Sequence, residues 1–406
     1  MITILNEKKI VLGVCGSIAA YKAADLASKL TQAGAVVDVI LTPAAEKFIS
    51  PLTFQSVTGR KAFTEEDLWG GQAHILHVDL GHNSDMMVIA PCTANTIAKM
   101  AHGMADNLLT ITALAAQSPI LIAPAMDVGM FNQTVTQENV HILSDHGAVF
   151  AGPGEGRMAS GLVGKGRMLE PSELLGHIRI LLGKKGILAG RHITITAGGT
   201  QEPIDPVRYI SNRSSGKQGY ALAQAAIDAG AEVTLITSPT GLTPPIGVTL
   251  VQAGTAQEML QAVLTAYQHT DALLMAAAVA DFQVKKFSKD KIKKRDGIPQ
   301  VQFESTPDIL GILASENFTH SRPKVIIGFA AESRDLLGNA AEKLKTKKLD
   351  MIAANDISAT DAGFSVDTNR VTLLYADGKS EVLPLQSKVE VSEAIIARTA
   401  TLLENN

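Results

Sequence analysis

Short, almost wholly apolar runs alternate with amphipathic stretches along most of the chain. KKIVLGVCGS (8–17) opens the series, a helical stretch follows over 18–32 and stops at Gly34, and VVDVILT (36–42) comes next. This is a β-α-β unit, and a right-handed crossover makes its two strands parallel. DMMVIAP (85–91) and PILIAPAM (119–126) are further strands, with helices expected over 94–101 and 106–116. Wholly apolar strands alternating with helices predict a parallel sheet covered on both faces. The alternation stops at 152–168, GPGEGRMASGLVGKGRM, whose six glycines and one proline read as a long loop.

After a helix over 171–183 and the turn-rich GKKGILAG (183–190), the same grammar resumes. HITITAGGT (192–200) is a strand into a glycine turn, 219–230 is a helix, and EVTLITS (232–238), DALLMAAAVAD (271–281), KVIIGFAAE (324–332) and DMIAAND (350–356) are strands. RVTLLYADGKSEVLPL (370–385) is a hairpin turning at Asp377-Gly378, and a last helix spans 388–403. The expected fold class is α/β: two doubly wound, Rossmann-like domains, 1–188 and 189–406, with ligands at the carboxyl ends of the strands.

Composition narrows the function classes. The 406 residues are 46% hydrophobic and 19% charged, as in a compact soluble protein. A net charge of −4 and only 4% aromatics give no basic or base-stacking surface, so no nucleic-acid or membrane partner is expected. The two cysteines, Cys15 and Cys92, make a poor disulfide framework and fit a cytoplasmic location. MITILNEKKI lacks the pattern of a secretory leader, and no apolar run is long enough to span a membrane.

Several strand ends carry candidate chemistry. GVCGSIAAYK (13–22) joins a strand to a helix, so Gly16 and Ser17 offer either an anion site at a helix N-terminus or an ordinary capped turn. In APCTANT (90–96), Thr93 and Asn95 can bond a ligand or cap the helix; GMADNLL (103–109) repeats the theme with Asp106 and Asn107. HILHVDLGHNSD (74–85) holds His74, His77 and His82, the natural acid/base groups near neutrality, without zinc-ligand spacing. Asp127, in PAMDVGMF, also follows a strand. SNRSSGKQG (211–219) resembles a phosphate loop, but Gln218 follows Gly216-Lys217 and Ser211 stands in the first glycine's place, so it is not a Walker A loop. AAAVADF (276–282) permits close approach of a ligand or tight helix packing. KKFSKDKIKKRDG (285–297), with seven Lys/Arg and two Asp, is either a solvated face or a cationic flap, and Lys343 and Lys347 share a helical face.

Taken in order, GVCGSIAAYK, APCTANT, GMADNLL, PAMDVGMF, GKGRM, DPVRYISNRSSGKQG, AAAVADF, KIKK, GFAAES and AAND resemble the bifunctional coenzyme A biosynthesis flavoproteins. These fuse phosphopantothenoylcysteine decarboxylase to phosphopantothenate–cysteine ligase. For the first half the resemblance implies a flavodoxin-like, FMN-binding decarboxylase. Gly16, Ser17 and Thr42 would hold the FMN phosphate and ribityl region, Thr93, Ala94 and Asn95 would line the flavin, and Met104, Ala105 and Asp106 would lie nearby. His77, in HVDLG, would give acid/base help. FMN would oxidise the thiol carbon to a thioaldehyde, which accepts the electrons left by CO₂, and would then reduce the resulting enethiol. Two departures stand out: Asp127 replaces the family's Asn, and Ser160 replaces the Cys of its Ala-Cys-Gly flap. One expectation is a working pair, a protonated, buried Asp127 donating through Ser160. The other is impaired reduction, ending at the enethiol or in a non-catalytic flavin scaffold. Cys15 or Cys92 replacing the missing thiol is a further alternative.

For the second half the resemblance implies a CTP-dependent ligase acting through an acyl-cytidylate that cysteine's amine attacks. Asn212 would contact that intermediate, Ser214, Ser215 and Gly216 would hold phosphate oxygens, and Arg208 would support the 4'-phosphopantothenate end. Ala278, Asp281, Phe329 and the loop Thr306-Pro307-Asp308-Ile309 would contact the nucleotide; Thr306 is a mild departure from the usual Asn. Lys291, Lys343 and Lys347, with Mg²⁺, would meet the triphosphate, Lys291 from a mobile flap. No residue is assigned as a metal ligand. The resemblance also implies homo-oligomers: trimeric decarboxylase domains, dimeric ligase domains and a dodecamer when both operate.

Overall fold

The computed structural model describes residues 3–69, 75–293, 300–315, 322–332, 335–356 and 368–405. The chain forms two compact units, Met1–Leu182 and Gly183–Asn406. In the first, the strands are β1 Lys9–Val14, β2 Val36–Leu41, β3 Ala62–Phe63, β4 Met86–Cys92, β5 Ile120–Pro124, β6 Val149–Phe150, β7 Gly154–Arg157 and β8 Val163–Arg167. A parallel sheet runs in the order β3-β2-β1-β4-β5-β6. Without the two-residue β3, this is the flavodoxin order; with it, the dinucleotide-fold order. Both place the switch point between β1 and β4.

The apolar runs follow from burial on both faces. Ile10, Leu12 and Val14 enter one core with Val88 and Ala90; Val11 and Cys15 enter the other with Met87 and Ile89. That is the period of two expected of a strand. Gly13 lets a helix sit directly on β1, since a Cβ there would stand 2.3 Å from Leu109 Cδ1.

In the second unit the strands are β9 His192–Ala197, β10 Gln201–Pro203, β11 Tyr209–Ser211, β12 Glu232–Thr237, β13 Thr249–Gln252, β14 Ala272–Met275, β15 Phe282–Val284, β16 Phe303–Ser305, β17 Val325–Glu332, β18 Met351–Asp356, β19 Thr368–Asn369, β20 Val371–Tyr375, β21 Ser380–Val382 and β22 Gln386–Ser387. The main sheet runs β13-β12-β9-β14-β17-β18-β20-β21. It is parallel through β18, and the expected hairpin β20–β21 adds an antiparallel edge. The switch point lies between β9 and β14.

Two expectations are corrected. The glycine-rich 152–168 is not a structureless loop: β7 and β8 pair as an antiparallel hairpin. Gly166 lies against the Met126 carbonyl, where a Cβ would come within 2.4 Å, so the hairpin packs backbone to backbone beside β5's end. The strand expected over 271–281 stops at Met275. Beyond it one backbone bridge, Gly199 with Ala278, continues the pairing, and side-chain hydroxyls take the flanking donors: Ala277 N–H donates to Thr196 Oγ1 at 3.1 Å and Ala280 N–H to Thr200 Oγ1 at 2.9 Å. The segment therefore stays beside the turn that follows β9, at the switch point.

No helix among the described residues is long and apolar enough to cross a membrane.

Candidate functional site

Each switch point opens into a cavity. In the first unit it measures about 690 Å³ and is lined by Gly16, Ser17, Thr42, Thr93, Ala94, Asn95 and Asp106, with Glu65, Lys99 and Asn107. Three strand-end turns build it. After β1, Ser17 Oγ accepts from Ala19 N–H at 3.2 Å at the entry to the helix Ala20–Gln32. After β2, Thr42 Oγ1 accepts from Ala45 N–H at 3.2 Å. These two turns touch: a Cβ on Gly16 would stand 2.5 Å from Ala44 Cβ and 2.9 Å from its carbonyl carbon. After β4, Thr93 caps the helix Ala94–Ala101 through Thr96 N–H. Asn107 and Thr110 form a reciprocal capping box on Leu108–Ala115. Lys99 holds the Asp106 carboxyl below the usual range by hydrogen bond and charge. Met104 and Ala105 lie outside the lining; Met104 is exposed.

His77 sits on the helix Leu76–His82, also outside the lining. Its Nδ1 is sealed from water and has no hydrogen-bond partner. His74 lies outside the described residues.

Asp127 and Ser160 do meet. Ser160 Oγ donates to Asp127 Oδ2 at 2.6 Å, while Gly129 N–H donates to Oδ1 at 2.9 Å. Asp127 caps the short helix Val128–Phe131, and Ser160 sits in the turn between β7 and β8. The protonation state is the reverse of that expected. The carboxyl is not buried, and the Ser160 hydroxyl, then the Gly129 N–H, hold it below the usual range. Asp127 is an anion accepting from Ser160, not an acid donating through it. The cysteines stay apart from this pair: both are buried in the core and line neither cavity. The hydrogen bond to Cys92 lowers the Cys15 thiol, and burial raises Cys92 well above its ordinary value.

The second cavity, about 700 Å³, is lined by Asn212, Ser214, Ser215, Gly216, Ala278, Asp281, Phe329, Lys343, Lys347 and the run Thr306–Ile309. Gly216, at φ 79°, is the left-handed residue that turns SNRSSGKQG into the helix Lys217–Asp228. Asn212 Nδ2 donates to Val279 O at 3.1 Å, tying that loop to the segment after β14. Thr306 Oγ1 bonds the Ala280 carbonyl. Asp308 caps the helix Ile309–Ala314 and pairs with Lys347, while Lys343 Nζ donates to Phe329 O at 2.9 Å. Burial pushes the Asp308 carboxyl up, but Lys347 and the Gly311 N–H outweigh it and hold it below the usual range.

Arg208 and Lys291 stand outside this lining. Arg208 donates to Ile292 O at 2.7 Å, and buried Asp205 accepts from Ile292 N–H at 3.2 Å and Arg208 N–H at 2.8 Å. The segment bearing the exposed Lys291 is thus anchored to the 205–208 turn. Six polar lining residues had no assigned role from sequence: Lys217, Gln218, Ser305, Asn355, Asn369 and Lys388. Of these, Lys217 and Gln218 fell in the quoted SNRSSGKQG and Asn355 in AAND. Among the described residues, no group of three His, Cys, Asp or Glu could hold a metal ion.

Comparison with known proteins agrees with this division. The flavoprotein family matches residues 3–183, and the DNA/pantothenate metabolism flavoprotein C-terminal domain matches 188–403. The coenzyme A biosynthesis bifunctional protein CoaBC of Bacillus subtilis (strain 168) is 43% identical over 401 residues, 98% of each chain. That of Vibrio vulnificus (strain CMCP6) is 42% identical over 401 residues, 98% of this chain and 99% of its own. The crystal structure of the C-terminal domain of a coenzyme A biosynthesis bifunctional protein is 40% identical, with a TM-score of 0.47; the match covers 55% of this chain and 100% of that one. The chain belongs to the family of bifunctional coenzyme A biosynthesis proteins, in which a flavoprotein decarboxylase unit is joined to a ligase unit.

Proposed function

We propose that residues 189–406 join cysteine to 4'-phosphopantothenate with CTP, through an acyl-cytidylate, and that residues 1–188 decarboxylate the product to 4'-phosphopantetheine with FMN. The observation that carries this is the coincidence of each family's motif residues with a separate switch-point cavity.

The first cavity suits FMN. Its donors are hydroxyls, amides and the opening turn of a helix, which suits a phosphate. FMN, when bound, supplies the reversible two-electron chemistry that makes loss of CO₂ possible. Ser17, Thr42 and the turn at Gly16 hold the phosphate end, and Thr93, Ala94 and Asn95 the ring, with Asp106 near it. His77 moves a proton on the substrate. Asp127 fixes the Ser160 hydroxyl over β5's end through their 2.6 Å bond. Gly16→Ala is expected to lower bound flavin about tenfold or more, because the new methyl displaces the Ala44 turn. The flavin absorbance of the purified protein measures it.

In the second unit, Asn212 orients the reacting carboxylate, with Arg208 supporting the phosphate-bearing acid. Asp281, Phe329 and the 306–309 run hold the nucleotide. Lys343, Lys347 and Lys291, with Mg²⁺ carried by CTP, neutralise the leaving pyrophosphate. The working form is a homo-oligomer in the cytoplasm. Incubation with 4'-phosphopantothenate, cysteine and CTP, followed by mass spectrometry, tests the whole. The expected end product is fully reduced 4'-phosphopantetheine. A product two hydrogens short shows that the Asp127–Ser160 pair does not sustain reduction, and no pyrophosphate release rejects the ligase reading.

A further inference from the structure

Among the described residues, one cation lines the first cavity, Lys99. It lies on the helix Ala94–Ala101, one turn beyond Asn95 and on the same face. Its side chain is only 22% exposed. Lys99 Nζ donates to both oxygens of Asp106, at 2.9 and 2.7 Å. An ammonium has three N–H bonds, and the third has no partner among the described residues.

The turn that carries Asp106 does not depend on this pair. Asn107 and Thr110 cap the helix Leu108–Ala115 reciprocally, and Glu65 Oε2 accepts from Leu108 N–H at 3.0 Å. What Lys99 adds is a positive charge on the cavity wall. Glu65 and Asp106 set two negative charges against it, so the wall does not attract a free anion. The phosphate of FMN is placed on other turns, after β1 and β2. The third N–H of Lys99 therefore suits a neutral acceptor that gains charge during the reaction.

On the reading of this unit as an FMN-dependent decarboxylase, we infer that Lys99 donates to a carbonyl of the flavin ring, and that the Lys99–Asp106 pair sets the ring's reduction potential. The ring takes two electrons and one proton from the thiol-bearing carbon of the substrate, while the thiol proton leaves to a base. It thereby gains one negative charge, and it later returns the electrons and the proton to the enethiol. Lys99 stabilises the reduced ring and so favours the first half of the cycle. Asp106 faces the same ammonium, offsets its charge and keeps the reduced ring able to give its electrons back. A paired cation serves a redox-neutral cycle, whereas a bare one would stall it with the flavin reduced.

Reduction of the full, flavin-loaded chain against a reference dye, without substrate, measures the midpoint potential. Lys99→Met keeps the length and removes the charge. It is expected to weaken binding of reduced relative to oxidised flavin about tenfold, the scale of one hydrogen bond to a charged group, and so to lower the two-electron potential by about 30 mV. Asp106→Asn is expected to move the same ratio about tenfold the other way and to raise the potential. Lys99→Arg, which keeps the cation, should stay within about threefold of wild type in that ratio. A lysine that only braced its turn would change stability and leave the potential alone. A lysine that held the substrate's carboxylate would raise KM and leave the substrate-free potential alone. Unchanged potentials in Lys99→Met and Asp106→Asn, or shifts of the same sign, therefore overturn the proposal. If Lys99→Met does not fold, a potential that is unchanged or lowered in Asp106→Asn is enough to overturn it. A wild-type chain that takes up no flavin overturns the FMN reading itself, which separates the two failures.

Discussion

His77→Leu is expected to slow CO₂ release from phosphopantothenoylcysteine by about 10²–10⁴-fold, the range for loss of a general acid or base. Bound flavin should be unchanged, because His77 does not line the first cavity. The folded state should be unharmed or slightly stabilised. His77 Nδ1 is buried without a partner, and removing such a group relieves desolvation of about 1–3 kcal/mol, offset by imperfect repacking. A histidine kept for the fold would behave in the opposite way, losing stability first and activity with it. Thermal unfolding, flavin absorbance and CO₂ release on the same preparation separate the two. A variant that unfolds early yet decarboxylates normally when folded would end the assignment of His77 as the proton-moving group. Activity gained at the expense of an unsatisfied polar atom is a recognised trade in enzyme sites.

What the sequence disclosed, and what it did not, follows from the range of the interactions. β1 and β4 were legible because burial on both faces makes nearly every position apolar. The hairpin β7–β8 was not, since GEGR and VGKGR carry almost no apolar side chains and owe their pairing to backbone contact. The run Ala276–Ala280 read as strand because small apolar residues look alike in a ladder and beside one; a single bridge at Ala278 and the hydroxyls of Thr196 and Thr200, about 80 residues away, end the regular ladder. The helix Ala256–Tyr267 was announced by the Thr255–Glu258 capping box, a local signal that the strand-centred reading passed over. The cavity residues at strand ends were legible through their motifs. Asn369 was not: its polarity depends on Gln218, Ser392 and the Lys388 carbonyl, none of them near it in sequence. For Asp127 and Ser160, pairing was readable from two coincident substitutions. The direction of the proton was not, because it depends on exposure.

Lys291→Gln is expected to reduce ligase turnover by about 10²–10³-fold, the scale for removing one stabiliser of developing charge. The KM for CTP should stay within about threefold, because this cation contributes in the transition state and little to the ground state. The structure supports that split. Lys343 and Lys347 line the cavity and are held there by Phe329 O and Asp308. Lys291 is exposed and outside the lining, on a segment whose next residue is clasped by Asp205 and Arg208. A lysine with that placement has to approach from an anchored base, and the neutral, similarly long glutamine keeps the reach while removing the charge. Asp205 is 2% exposed and accepts three backbone N–H bonds, so the anchor itself survives the substitution. Pyrophosphate release and cysteine ligation, followed separately, locate the loss: slowed pyrophosphate release places Lys291 on the activation step, whereas normal release with slow ligation places it on cysteine's attack. Unchanged turnover in both assays would show that the basic segment is a solvated face and that the two lining lysines suffice.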